Sequence, residues 1–92
     1  MTIFDQITTR IIKEQELIIG PVAWEEAQKV SGLTVAPDHE GVTISGDPKD
    51  VLNRLVAQYS KLFGKVSSEV CREAAQDLIA ELPPEEIPAS LV

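Results

Sequence analysis

The segment IIGPVAWEEAQKV, residues 18–30, joins two stretches of helical sequence through the pair Gly20-Pro21. Glycine can adopt the backbone angles of a sharp reversal, and proline is favoured in the first turn of a helix, where its missing N–H needs no partner. The pair therefore predicts a corner between a helix over residues 3–19 and a second helix that begins at Pro21 and is closed by Gly32.

A helical spacing of apolar residues supports the first of these helices. Steps of three, four and seven place several apolar side chains on one stripe, which we expect to face the core. This stripe consists of Phe4, Ile7, Ile11 and Ile18.

The middle of the chain changes character over residues 33–45. The β-branched triplets Leu33-Thr34-Val35 and Val42-Thr43-Ile44 flank APDHEG, a sequence rich in turn-forming residues. Such a pattern predicts a short β-hairpin. A lone hairpin is marginal in water, so it has to lean on the helices or on a second copy.

Two further helices follow the hairpin. Asp47 is a typical N-cap and Pro48 a typical first residue, which predicts a third helix to Phe63. A fourth helix is expected from Lys65 to Glu81, after which residues 83–92 should form a disordered, proline-rich tail. The predicted core face of the fourth helix consists of Val66, Val70, Cys71, Ala74, Leu78 and Leu82.

The corner at Gly20 recurs 44 positions further along the chain, at Gly64. Residues 7–27 (IxxRIIxxxxxIIGPVAxEEA) align with residues 51–71 (VxxRLVxxxxxLFGKVSxEVC), and the apolar positions stay in phase. Either two unrelated amphipathic hairpins align by chance, or a helix–Gly–helix unit is duplicated. In both cases the glycines are structural corners, since a phosphate-binding loop needs several glycines.

These patterns predict a mainly α fold (α+β), in which two helical hairpins of the helix–Gly–helix type flank a short β-hairpin. Residues 1–82 form a single domain in this prediction. The helix start IGPVA, Ile19–Ala23, resembles that of small uncharacterised helical modules attached to bacterial signalling proteins. The resemblance implies a signalling or scaffolding role.

Composition narrows the possible functions. The net charge is −7, from 15 acidic and 8 basic residues, which disfavours binding to nucleic acid or to an anionic membrane. No apolar run approaches the roughly 20 residues of a membrane span. The N-terminal sequence MTIFDQITTR lacks the basic start of a signal peptide, so we expect a cytoplasmic protein.

Catalytic and metal-binding chemistry have few candidates. Cys71 is the only cysteine and His39 the only histidine. We expect the first to lie in the core and the second in the hairpin turn, where they cannot act as a nucleophile and its base. The acidic residues near the hairpin lack the spacing of a calcium loop. The prediction is a protein that is not an enzyme and holds no cofactor or metal.

Three aromatic residues are candidates for partner contact. Trp24 does not fit the small-residue face of the second helix, so we expect it to be partly exposed. It would then be either a lid on the core or an anchor for a partner, a role in which tryptophan is enriched. Tyr59 and Phe63 are expected chiefly in the core, with partner contact as the alternative.

Two arginines, Arg10 and Arg54, occupy equivalent positions in the repeat. Each has an acidic residue four positions away, Glu14 and Asp50, so local ion pairs are expected. The alternative is a symmetric ionic clamp on a partner.

A thin core in a chain of 92 residues often needs support from a partner chain. We therefore predict a non-enzymatic protein–protein interaction module, cytoplasmic and engaged in signalling or scaffolding, that forms a homodimer. The alternative is an acidic, antitoxin-like subunit that binds and neutralises a basic partner protein.

Overall fold

The structure is a computed structural model that describes residues 2–92. Its mainly helical fold with one short antiparallel hairpin confirms the predicted fold class. The elements in chain order are α1 (Ile3–Ile19), α2 (Val22–Gln28), β1 (Leu33–Val35), β2 (Val42–Ile44), α3 (Pro48–Phe63) and α4 (Lys65–Ile79). Two short 3₁₀ helices, Pro84–Glu86 and Ala89–Leu91, follow.

Side-chain caps fix where α1 and α3 begin. At α1 the Thr2 hydroxyl accepts the N–H of Asp5 at 3.2 Å, and the Asp5 carboxylate accepts the N–H of Thr2 at 3.3 Å. At α3 the Asp47 carboxylate accepts the N–H of Lys49 at 3.0 Å, with Pro48 as the first helical residue. These contacts satisfy amides that have no partner inside the helix.

The two glycine corners have nearly the same geometry. Gly20 has φ +79° and ψ −164°, and Gly64 has φ +86° and ψ −170°. Each glycine N–H donates to the carbonyl four residues earlier, on Glu16 and Ser60, at 2.9 Å. Only glycine adopts this backbone region readily, so both residues are the structural corners that the sequence predicts.

The repeat is also present in what the long helices bury. Every buried residue of α1 has a buried counterpart in α3, displaced by 44 positions. The buried residues are Ile7, Thr8, Ile11, Ile12 and Gln15 in α1, and Val51, Leu52, Leu55, Val56 and Tyr59 in α3. Chance alignment of two amphipathic helices does not require this match at every position.

Two buried hydrogen bonds connect the halves reciprocally. Gln15 Nε2 donates to the carbonyl oxygen of Ser67 at 2.9 Å, and the Tyr59 hydroxyl donates to that of Ala23 at 2.6 Å. Gln15 and Tyr59 are equivalent in the repeat, as are Ala23 and Ser67. Exchanging the halves therefore turns one bond into the other, which is the property of a two-fold axis. The chain has an approximate internal two-fold relation.

The β-hairpin is the element that breaks this relation, since only the first half is followed by one. Its register pairs Leu33 with Ile44 and Val35 with Val42. Strand β1 packs on α2 and strand β2 packs on α1. Leu33 and Val42 are buried against the helices, so the hairpin leans on its own chain.

Within residues 83–92, which are expected to be disordered, the 3₁₀ helix Ala89–Leu91 packs against α3 and α4. Pro88 and Leu91 are buried. The Asn53 side-chain oxygen accepts the N–H of Ser90 at 3.0 Å and its hydroxyl at 2.6 Å. Burial of two apolar side chains and these hydrogen bonds offset the ordering entropy of the segment.

The apolar faces of α1 and α4 also differ from the predicted ones. Ile18 is 58% exposed, whereas Gln15 is buried because its amide finds partners on α4. Ile18 lies on the same stripe as the buried Ile11 but stands in the last turn of α1. On α4 the buried residues are Ser67, Cys71, Ala75 and Leu78. Val66 is 64% exposed, and Val70 and Ala74 are half-buried.

Candidate functional site: a groove between α1 and α4

Trp24 is not the exposed residue that the sequence predicts. It is 1% exposed, and the imidazole of His39 stacks on its indole with ring centroids 4.8 Å apart. His39 reaches this position from the hairpin turn, where it adopts φ +59°. In the folded chain Trp24 is therefore a core residue.

Tyr59 is likewise fully buried, and its hydroxyl is occupied by the Ala23 carbonyl oxygen. It contributes to the core, as chiefly expected for this residue. Phe63 lies beside the Gly64 corner and is 38% exposed. Of the three aromatic candidates, only Phe63 has a ring that a partner can reach.

The two arginines have different surroundings. Arg54 Nη1 donates to the Ser31 carbonyl oxygen at 3.1 Å, which ties α3 to the end of α2. The expected pairs Arg10–Glu14 and Arg54–Asp50 do not form. Among residues 2–92 the ion pairs are Lys13–Glu40 at 3.6 Å and Lys29–Glu26 at 2.9 Å.

Cys71 lies in the core as predicted and is 0% exposed. Gln15 Nε2 donates to its sulfur at 3.3 Å. Burial nevertheless raises the pKa of the thiol from its ordinary 9.0 to about 11. Since the thiolate is the reactive form, this environment suits a structural cysteine.

We expect the Cys71 thiol to resist a thiol reagent such as DTNB near pH 8 in the folded protein and to react once guanidinium unfolds the chain. Its pKa is about 11 when folded and near 9.0 when unfolded, so the folded state binds more protons in that window. The free energy of unfolding should fall as pH rises above about 9.

The variant Cys71→Ala is the control for this pH dependence, because alanine stands at the equivalent position 27. In this variant the free energy of unfolding, measured by denaturant titration, should no longer fall between about pH 9 and 10. Burial also raises the pKa of Tyr59 from its usual 10.0, so both proteins should lose stability at higher pH. A native thiol that reacts as fast as the unfolded one would contradict the assignment.

A groove of about 620 Å³ lies on the surface where α1 and α4 pack together. Its walls carry apolar side chains, and charged side chains stand along its length. The lining residues are Arg10, Glu14, Leu17 and Ile18 on α1, and Val70, Glu73, Ala74 and Asp77 on α4. We call this the α1–α4 groove. Leu17 is 79% exposed and Ile18 is 58% exposed, so the apolar part of the groove is open.

The equivalent region of the other half, between α3 and α2, is closed by bonds within the chain. Glu26 on α2 accepts hydrogen bonds from Gln58 at 2.8 Å and from Lys29 at 2.9 Å. These two donors lower the pKa of the Glu26 carboxyl. Arg54 adds its bond to Ser31. The internal two-fold relation therefore holds for the core and fails at this surface.

Further apolar side chains are exposed near the Gly64 corner. Val66 lies one turn before Val70 on α4 and is 64% exposed. Leu62 and Phe63, at the end of α3, are 47% and 38% exposed. The Gln15–Ser67 bond holds the end of α1 beside the start of α4.

Helical periodicity in the sequence does not reveal the groove, because it assigns the apolar residues of the groove to the core. Ile18, Val70 and Ala74 all belong to predicted core stripes. Ile18 lies on the same stripe of α1 as the buried Ile7 and Ile11 and is exposed because it stands in the last turn of the helix, so helical spacing alone assigns it to the core.

Comparison with known proteins adds no relative: no protein-family model, no curated protein and no solved structure matches this chain. Within residues 2–92 no group of three or more His, Cys, Asp or Glu side chains is placed to hold a metal ion. In the same part of the chain no helix is both long enough and apolar enough to span a bilayer.

Proposed function

We propose that the chain is a non-enzymatic protein–protein interaction module and that the α1–α4 groove is its binding surface. The observation that supports this most is the exposure of Leu17 and Ile18, 79% and 58%, on one wall of the groove. Apolar groups that share a concave surface and are rimmed by charges are typical of interaction sites. The equivalent surface of the other half is closed by the chain itself.

The charges of the groove favour one of the two expected partners. Glu14, Glu73 and Asp77 outnumber Arg10 along its walls. A homodimer through this surface would bring two acidic rims together, which is unfavourable. In addition, each half of the chain already packs against the other half through the internal two-fold relation, so the core does not need a second copy of the chain. Both arguments favour the basic partner protein over a second copy of the chain.

A cytoplasmic signalling or scaffolding role remains the setting that we propose for this interaction. It is supported by the IGPVA helix start at Ile19–Ala23 and by the buried, unpaired thiol of Cys71. An interaction module of this kind needs no catalytic group.

Site-specific photo-crosslinking in the source cells tests the proposed surface. A photoreactive phenylalanine analogue placed at Ile18 should give a discrete adduct, because this side chain faces the open groove. The same analogue at Asp38, an exposed residue of the hairpin turn, should give none. We expect the second substitution Val70→Asp, on the opposite wall, to abolish the Ile18 adduct.

The mass of the adduct identifies the type of partner. An adduct of twice the mass of the chain means a homodimer, and any other discrete mass means a different protein. Circular dichroism should show unchanged helix content in Val70→Asp, since Val70 is only half-buried. An adduct from Ile18 that survives this substitution, or no adduct at all, would contradict the proposed surface.

A further inference from the structure

The closed surface of one half shows what the open groove of the other half lacks. In the closed surface a single carboxylate, Glu26, lies between two donors, Gln58 and Lys29. In the groove the equivalent of Glu26 is Val70, the equivalent of Gln58 is Glu14, and the equivalent of Lys29 is Glu73. The two flanking positions therefore both carry carboxylates, and the central position carries no charge.

Neither carboxylate forms an ion pair among residues 2–92, although Arg10 lines the same groove. The ion pairs of residues 2–92 involve Glu26 and Glu40, and neither Glu14 nor Glu73 takes part in one. Both side chains are exposed and line opposite walls of the groove. A cationic group held above Val70 would contact both, and the arrangement of the closed surface would be restored with its charges reversed.

The walls of the groove also indicate the form of the ligand. On α1 the lining positions are 10, 14, 17 and 18, and on α4 they are 70, 73, 74 and 77. Both sets repeat every three or four residues over two turns, about 11 Å along the helix axis. A groove between two helices with this spacing accepts a third helix, whose own apolar residues recur at i, i+3, i+4 and i+7.

We propose that the α1–α4 groove binds an amphipathic helix of a partner protein, and that a lysine or arginine of this helix sits over Val70 between Glu14 and Glu73. The inference rests on the proposed function and adds the chemistry of the partner. The apolar contact comes from Leu17 and Ile18, and the paired carboxylates select for the cation. A second copy of the chain, or a helix without a basic residue, is a separate outcome of the test.

Fluorescence anisotropy with three labelled peptides of about 18 residues tests this. All three peptides carry the same face of leucine residues. The central positions that flank this face are lysine in the first peptide, glutamine in the second and glutamate in the third. The full chain should bind the lysine peptide at least tenfold more tightly than the other two. This preference should weaken with added salt, because exposed charges are screened.

The double variant Glu14→Gln/Glu73→Gln should lose the tenfold preference and bind the lysine and glutamine peptides alike. The matched control is Glu85→Gln/Glu86→Gln, which makes the same change in net charge on the exposed C-terminal segment and should keep the preference. Equal binding of all three peptides, lost in Ile18→Asp, would overturn the inference and leave the proposed surface intact. Failure of the lysine peptide to bind would also overturn it, and the crosslinks from Ile18 would then decide the proposed function separately.

Discussion

Replacing Trp24 by alanine is expected to lower the free energy of unfolding by about 3–5 kcal/mol, as for other large buried aromatic residues. Trp24 is 1% exposed and belongs to the same core cluster as Ile11, Leu55 and Tyr59. The substitution would leave a cavity and would also remove the surface on which His39 stacks. Chemical denaturation followed by circular dichroism measures the loss.

The variant Trp24→Phe is the matched control, since it keeps an aromatic ring and removes the indole N–H. That N–H is buried and has no hydrogen-bond partner, so its removal relieves a cost and partly offsets the smaller apolar area. We expect Trp24→Phe to lose much less stability than Trp24→Ala. At temperatures where both variants are folded, crosslinking from Ile18 should persist. Loss of the crosslink in a folded Trp24→Ala protein would show that Trp24 acts at the interface after all.

The second large effect is expected at Gly32, where alanine should cost about 3–5 kcal/mol through backbone strain and close contact. Gly32 has φ +89°, and its carbonyl oxygen accepts the N–H of Ser45 at 2.8 Å. An added Cβ would lie 2.8 Å from the Ser45 carbonyl oxygen and 2.9 Å from Val51 Cγ2. Neither neighbour can move aside easily, because the Ser45 carbonyl is held by the end of the hairpin and Val51 is held in the core.

The variant Gly46→Ala separates the effect of backbone strain from the effect of the close contact. Gly46 has φ +94°, and an added Cβ would meet no atom within 4 Å, so only the backbone strain of about 1–3 kcal/mol applies. The difference between the variants measures the close approach of the hairpin end to α3. Gly64→Ala should resemble Gly46→Ala, since its Cβ also enters open space. Equal melting temperatures for Gly32→Ala and Gly46→Ala would mean that the hairpin shifts without cost.

Features with a local cause could be predicted from the sequence. The caps at Thr2 and Asp47, the corners at Gly20 and Gly64 and the hairpin each depend on residues within a few positions of one another. Their backbone preferences act in any context, so the order and the approximate bounds of the elements followed from the sequence.

Features that depend on contacts between distant residues could not. Trp24 is covered by His39, which the hairpin brings from 15 positions away. The C-terminal segment is held by Asn53, which lies in another helix. The α1–α4 groove is open at Ile18, which shares a stripe with the buried Ile11 but stands in the last turn of α1. Hydrophobic periodicity assigns a residue to the core stripe, and it does not show which part of that stripe a neighbouring helix covers.

The reciprocal bonds Gln15–Ser67 and Tyr59–Ala23 have a consequence for how the molecule comes apart. Each half completes the packing of the other, with α1 against α4 and α3 against α2. Neither helix–Gly–helix unit retains an enclosed interior when its mate is removed. We therefore expect the two units to unfold in a single cooperative transition, as the subunits of an obligate dimer do when they are covalently joined.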